Sequence, residues 1–169
     1  MSFSKKIFGY CLIIFSLLII VLIGFPQVFS LSKSGRIDKE INANVSFLQN
    51  EKADVVLLYF GYVGCSTICL PSLTDINTIY SQLEDKNNVS IYFVNLLDNV
   101  DSNMPQQLAS AFNKDFKGIY LKDEELKKVT SLFNVVYTKS LLDDYELNHA
   151  GYLYLLKNKN IFTLLDLIL

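Results

Sequence analysis

The chain has 169 residues and a mass of 19.3 kDa, which suits one globular domain and excludes a large multi-domain enzyme. Its net charge is -2 and Arg36 is its only arginine, so it lacks the basic clusters with which proteins bind nucleic acid. The hydrophobic fraction of 51% is high for a soluble globule and indicates that part of the chain lies in lipid.

The first predicted element is a transmembrane helix. Residues 7–25 carry no charged side chain, and an apolar run of this length can span about 30 Å of hydrocarbon. Lys5 and Lys6 precede it, which favours a cytoplasmic N-terminus and an extracytoplasmic domain. A cleaved signal peptide is the alternative, because residues 28–30 loosely fit a cleavage site. We predict an anchor at residues 1–27, a linker at residues 28–43 and a folded domain at residues 44–169.

Within the domain, short apolar runs alternate with amphipathic segments, as in an α/β protein. The pattern predicts strands at residues 55–60, 89–96 and 118–121, each followed by a helix, at residues 70–83, 105–112 and 123–133. Two further strands, at residues 152–156 and 161–165, flank a turn and form a hairpin. This order predicts a thioredoxin-like α/β sandwich.

Two of the three cysteines lie where the first of these strands turns into a helix. Cys65 and Cys69 are four residues apart, which on a helical turn brings their Cβ atoms within about 5–6 Å. That spacing suits a shared soft metal ion or a disulfide. The start of a helix also favours the thiolate, the form that binds metal or attacks a disulfide. Cys11 lies inside the predicted anchor and is assigned no role.

His149 is the only histidine of the chain, and it stands in a predicted loop just before the final hairpin. Two thiolates and one imidazole match soft, low-coordinate Cu(I) and also accept Cu(II), whereas zinc prefers a fourth ligand. The residues leave a second function open, a membrane-tethered thiol-disulfide oxidoreductase in which Cys65 attacks and Cys69 resolves. A third interpretation is a purely structural role.

Two segments of the domain carry a family pattern. They are Leu57-Leu58-Tyr59-Phe60-Gly61-Tyr62 followed by Cys65-x-x-x-Cys69, and Asn148-His149-Ala150 ahead of Tyr152-Leu153-Tyr154-Leu155. Together they resemble the SCO/SenC family of membrane-anchored, thioredoxin-fold copper proteins. The resemblance implies that Cys65, Cys69 and His149 bind one copper ion, with Cu(I) favoured.

The same resemblance implies a role, partners and a location. The role is delivery of copper, or of reducing equivalents, to the dinuclear copper site of cytochrome c oxidase during assembly, so the protein is a copper chaperone rather than an enzyme. The partners are the copper-receiving oxidase subunit and a copper donor or thiol reductant. The location is the inner membrane, crossed once, with the domain on the periplasmic side or in the equivalent mitochondrial topology.

The chain departs from the family pattern at three places. Ser66-Thr67 stand where the family has Pro-Asp, and Pro71 falls one place later than the usual proline. Asn148 replaces an aspartate that could orient the imidazole. We therefore expect a loop of different stiffness and a weaker affinity for copper.

Overall fold

The structure is a computed structural model that describes residues 13–19, 37–40, 44–140, 146–157 and 161–166. The chain divides into two compact units, Met1–Gly35 and Arg36–Leu169. In the first unit, residues 13–19 are helical. The rest of the predicted transmembrane helix and the predicted cleavage site lie outside the described residues, and no helix within them has the length and apolarity needed to cross a membrane.

The second unit contains two sheets and three α-helices among its described residues. The strands are β1 (Ile37–Glu40), β2 (Val55–Gly61), β3 (Val89–Asn95), β4 (Lys117–Ile119), β5 (Tyr137–Lys139), β6 (Leu147–His149), β7 (Tyr152–Lys157) and β8 (Ile161–Asp166). The helices are α1 (Cys69–Ser81), α2 (Met104–Phe112) and α3 (Asp123–Leu132), and a short 3-10 helix covers Ser46–Leu48.

The larger sheet has the strand order β1-β8-β7-β2-β3-β4, and β5 pairs with β6 separately. Strands β2, β3 and β4 are parallel, whereas β7 runs antiparallel to β2, β8 to β7 and β1 to β8. Parallel neighbours need a crossover connection, and α1 and α2 provide it. The predicted mixed α/β, thioredoxin-like fold is confirmed.

The centre of the core is the pair β2 and β3. Both are nearly continuous apolar runs, as expected of parallel strands that are covered on both faces, and Leu58, Tyr59 and Phe60 are almost fully buried. Their register pairs Val55 with Val89 and Gly61 with Asn95, so the two strands end side by side. The chain that leaves β2 therefore starts the candidate site at the carboxyl edge of the sheet.

Every strand and helix predicted for the domain is present in the structure, and its observed ends lie within two residues of the predicted ends. The sequence pattern missed β1, β5, β6 and the 3-10 helix, whose three or four residues are too few to show a period. The equally short β4 was predicted because it overlaps the run at residues 118–121. One assignment changes: His149, predicted in a loop, is the last residue of β6 and pairs with Tyr137 of β5. The tip of the predicted hairpin turn, residues 158–160, lies outside the described residues.

Candidate metal centre

Cys65 lies in the turn that connects β2 to α1, and Cys69 is the first residue of α1. Gly64 has a φ of 104°, a left-handed conformation that favours glycine, and it lets the chain turn back so that the Cys65 N–H donates to the Tyr62 carbonyl at 3.2 Å. The Cys69 N–H donates to Cys65 Sγ at 3.4 Å. Both cysteines are free thiols and both are buried.

His149 approaches the two thiols from the other side. Its Nε2 lies 3.7 Å from Cys65 Sγ and 3.4 Å from Cys69 Sγ. Its Nδ1 lies 3.2 Å from the carbonyl oxygen of Ala150, which suits an Nδ1–H that donates to this oxygen. This contact turns Nε2 toward both sulfurs, where it can donate to a thiolate or bind a metal ion. The Tyr62 ring meets the imidazole edge to face, with centroids 5.6 Å apart, and limits its rotation.

The three side chains form a compact S2N donor set. Their ligand atoms all lie within 4.8 Å of one another, and in the part of the chain that the structure describes they are the only such group of His, Cys, Asp and Glu residues. Metal–sulfur bonds of about 2.3 Å and metal–nitrogen bonds of about 2.0 Å imply S···N edges of about 3.7 Å in a trigonal plane. The observed 3.4 and 3.7 Å match this geometry, so the residues fit a three-coordinate soft ion.

The two thiols differ in their electrostatics. Burial raises the pKa of Cys65, but hydrogen bonds from Cys69, His149 and backbone N–H groups outweigh it and lower the pKa from 9.0 to about 6. Burial also raises the pKa of Cys69, and the hydrogen bond that its thiol makes to Cys65 raises it further, to about 12. At neutral pH the metal-free pair therefore holds one thiolate and one thiol.

Sequence reasoning missed two residues that pack against Cys69. A Cβ atom built on Gly61 would lie 2.7 Å from Cys69 Sγ, so only glycine leaves room for the sulfur. Tyr59 is completely buried, and burial followed by the charge of Cys69 raises the pKa of its hydroxyl. The motif that contains both residues was noted in the sequence, but no local pattern shows which side chain a strand residue touches.

Asn95 is a third residue that sequence reasoning missed. It is fully buried at the end of β3, where its Oδ1 accepts a hydrogen bond from the Val63 N–H at 3.0 Å and its Nδ2 donates to the Leu97 carbonyl. The Leu96 N–H also donates to the Gly61 carbonyl at 2.7 Å. These bonds attach the turn that carries Cys65 to the end of the neighbouring strand.

Beside His149 lies an open groove of about 540 Å³, lined by Val136, Tyr137, Thr138, Asn148, His149, Ala150 and Tyr152. Asn148 is exposed on β6, next to the imidazole. The groove therefore leaves the histidine side of the donor set open to solvent, while both cysteines are buried. Of the three cysteines, Cys11 lies outside the described residues.

The chain matches SCO proteins in three kinds of comparison, with a family model, with curated proteins and with solved structures. The family model of SCO1/SenC matches residues 46–166. A SCO2-like protein of Rickettsia conorii is 29% identical over 112 residues, which cover 62% of this chain and 54% of that protein, so the match spans about half of the relative.

Two solved structures show the same fold. The solution structure of apo Sco1 from Thermus thermophilus superposes with a TM-score of 0.63 at 23% identity, over 78% of this chain and 81% of that chain. The structure of Bradyrhizobium japonicum ScoI with copper bound gives a TM-score of 0.60 at 24% identity, over 66% of this chain and 73% of that chain.

Proposed function

Because the chain belongs to the SCO1/SenC family, we propose that it binds one copper ion through Cys65, Cys69 and His149 and delivers it to cytochrome c oxidase during assembly. The acceptor in this proposal is the dinuclear copper site of the oxidase. Cu(I) is the favoured state, because thiolate and imidazole ligands in a low coordination number suit a soft ion. The copper-bound ScoI of Bradyrhizobium japonicum supports the choice of metal.

The observation that carries the proposal is the convergence of three side chains from two distant segments. His149 lies more than 80 residues from Cys65 in sequence, yet its Nε2 is within 3.7 Å of both sulfurs. A histidine with only a packing role has no reason to face two thiols with its Nε2. The open groove on the imidazole side gives a route by which an acceptor ligand replaces His149 first and the buried sulfurs afterwards.

The proposal includes a place in the cell. Residues 1–27 anchor the chain in the inner membrane, and residues 28–43 connect this anchor to the domain at residues 44–169, with β1 of the connecting stretch paired to β8. The domain works on the periplasmic side or in the equivalent mitochondrial space. The partners are the copper-receiving oxidase subunit and a donor of copper or of reducing equivalents. The charge-free run at residues 7–25 and the preceding lysines support this arrangement.

The first test is Cu(I) binding by the reduced full-length protein in detergent without oxygen. We expect one copper ion per chain, and we expect His149→Ala to weaken the affinity by at least about 100-fold, since even loss of an outer partner of a ligand costs about 10–100-fold. Cys65→Ser should abolish tight binding. Competition with a Cu(I) chelator measures both effects.

Cys11→Ser is the matched control, because it removes a thiol that is not assigned to the site and should leave the affinity unchanged. Equal affinity in wild type and His149→Ala would contradict the three-ligand site. Delivery is tested separately by transfer of copper to the soluble copper-binding domain of the oxidase. Copper that stays on this chain in the presence of that metal-free domain would contradict delivery.

The unequal thiols favour a second candidate, thiol-disulfide exchange. The Cys65 thiolate would attack a partner disulfide and release one partner thiol, and Cys69, after losing its proton, would attack Cys65 and release the other. The partner gains two electrons, and this chain is left with a disulfide that an external thiol must reduce. His149→Ala separates the candidates, because it removes a copper ligand but leaves both thiols in place, so it should weaken copper binding far more than it slows exchange.

A further inference from the structure

The hydroxyl of Tyr59 is an anomaly in an otherwise satisfied core. Among the described residues it is the one buried side-chain oxygen or nitrogen without a hydrogen-bond partner, and the residue has no exposed surface. Buried polar groups are nearly always paired, because a lost bond to water must be replaced inside the protein. A phenylalanine would fill the same space, so the hydroxyl calls for an explanation.

The surroundings of this hydroxyl include one copper ligand. A Cβ atom on Gly61 would lie 2.7 Å from Cys69 Sγ and 3.2 Å from Cε1 of Tyr59, so the ring and the sulfur border the same small space. A Cβ atom on Gly151 would lie 3.8 Å from both the Tyr59 hydroxyl and Ser72 Oγ. Ser72 is buried one turn after Cys69 on α1. The hydroxyl thus lies near the first turn of α1, close enough to Cys69 and Ser72 for both to act on its pKa.

We propose that the Tyr59 hydroxyl donates a hydrogen bond to Cys69 Sγ when that sulfur is a copper-bound thiolate. Tyr59 is then a positioning residue that stabilises the loaded site. A neutral thiol is a weak acceptor, which is consistent with a Tyr59 hydroxyl that meets no hydrogen-bond criterion beside the Cys69 thiol. A thiolate is charged, and hydrogen bonds to charged groups are about twice as strong as neutral ones.

Ser72 is the competing acceptor, because its Oγ lies on the same side of α1. The Ser72 hydroxyl is available whether or not copper is present, and it is close enough to Tyr59 to lower the pKa of that hydroxyl. The sulfur changes its acceptor strength on loading, whereas the serine does not. The inference rests on the proposed function, since it requires copper at Cys69.

The test is Tyr59→Phe in the reduced full-length protein. We expect the Cu(I) affinity to fall by about 10- to 100-fold, the range for loss of a hydrogen bond to a charged group. The thermal midpoint of the metal-free variant should be equal to or higher than that of wild type, because an unpaired polar group has been removed. In the Cu(II)-loaded protein the sulfur-to-copper charge-transfer band should move to longer wavelength, because the sulfur electrons lose a stabilising donor.

Tyr80→Phe is the matched control. Tyr80 is also buried, it packs edge to face on Phe116, and it lies eleven residues after Cys69 on α1, about 16 Å along the helix. Its replacement should leave the copper affinity and the charge-transfer band unchanged.

Three outcomes would overturn the inference. Wild-type affinity in Tyr59→Phe would show that the hydroxyl does not contribute to the loaded site, while the three-ligand proposal would stand. A lower midpoint, or failure to fold, in the metal-free variant would assign Tyr59 a general structural role. If the wild type itself bound no copper, the proposed function would fall and this inference with it.

Discussion

Cys65 and Cys69 show how strongly the position of a residue decides its chemistry. They are chemically identical, four residues apart and both buried, yet the pKa values are about 6 and about 12. The difference arises because Cys65 accepts hydrogen bonds from its neighbours, whereas the Cys69 thiol donates one to Cys65. Loading of Cu(I) at neutral pH must therefore release the proton of Cys69, since metal binds the thiolate.

The first prediction concerns the charge of Cys65. In reduced, metal-free protein the thiolate absorbance at 240 nm should increase with pH through a step near pH 6, because the thiol is protonated below its pKa of about 6 and ionised above it. The step should vanish in Cys65→Ser and persist in Cys11→Ser. A wild-type protein with no ionisation below pH 8 would contradict the prediction.

At the scale of elements, the site depends on two parallel strands that end together. Gly61 closes β2 beside Asn95, the last residue of β3, and the next residues of the β2 strand lead directly into the turn of Cys65. Asn95 holds this turn through the Val63 N–H and holds the following loop through the Leu97 carbonyl. The side-chain amide of Asn95 therefore fixes both the segment that follows β2 and the segment that follows β3.

Replacement of Asn95 with alanine should lower both stability and copper affinity. It leaves the Val63 N–H and the Leu97 carbonyl without these partners, and we expect a loss of about 2–3 kcal/mol in the free energy of unfolding. Urea unfolding of the metal-free protein measures this loss, and chelator competition measures the affinity.

Asn103→Ala is the control for this variant. Asn103 is exposed at the start of α2 and its side chain makes no capping hydrogen bond, so its loss should change the free energy by less than about 0.5 kcal/mol. Equal stability of the two variants would show that the Asn95 amide does not hold the turn.

At the scale of the whole molecule, one ion pair joins segments that are far apart in sequence. Glu51, in the loop before β2, lies 2.6 Å from the Lys117 ammonium at the start of β4 and also accepts a hydrogen bond from the Tyr92 hydroxyl of β3. Its carboxylate accepts the Lys52 and Ala53 N–H groups as well. Burial raises the pKa of Glu51, but these donors outweigh it and hold the pKa well below its usual range.

This network predicts how stability depends on pH. Because the folded state lowers the pKa of Glu51, its contribution is complete above about pH 5 and is lost progressively as the pH falls through the unfolded pKa of about 4.3 toward the lower folded-state pKa. Glu51→Gln should therefore lower the free energy of unfolding at pH 7 by about 1–3 kcal/mol and flatten its dependence on pH between 3 and 5. Urea unfolding at a series of pH values measures both changes.

The control uses an exposed ion pair. Glu124 and Lys127 are 2.9 Å apart, with side chains 87% and 71% exposed, so Glu124→Gln should change the free energy by about 0.5 kcal/mol or less. If Glu51→Gln retained the full acid dependence of the wild type, the source of that dependence would lie in other carboxylates.

The sequence by itself determined the local features of this protein. The sequence predicted the ends of β2, β3 and β7, and of the helices α1 and α2 that follow β2 and β3, to within two residues, because burial on a strand or helix leaves a pattern in the chain. The pair Cys65 and Cys69 was visible at a strand-to-helix turn, since both residues belong to one continuous segment. The single histidine completed a soft donor set by residue type alone.

The tertiary structure decided which of these groups meet. His149 reaches the thiols only because β7, which follows it, pairs with β2, which precedes Cys65, and because the short β5–β6 pair holds the histidine in place. The unpaired Tyr59 hydroxyl, the space above Gly61 and the amide of Asn95 likewise depend on contacts between separate segments. Local periodicity reports burial, whereas the distance between two side chains depends on strand order and register, which no single segment encodes.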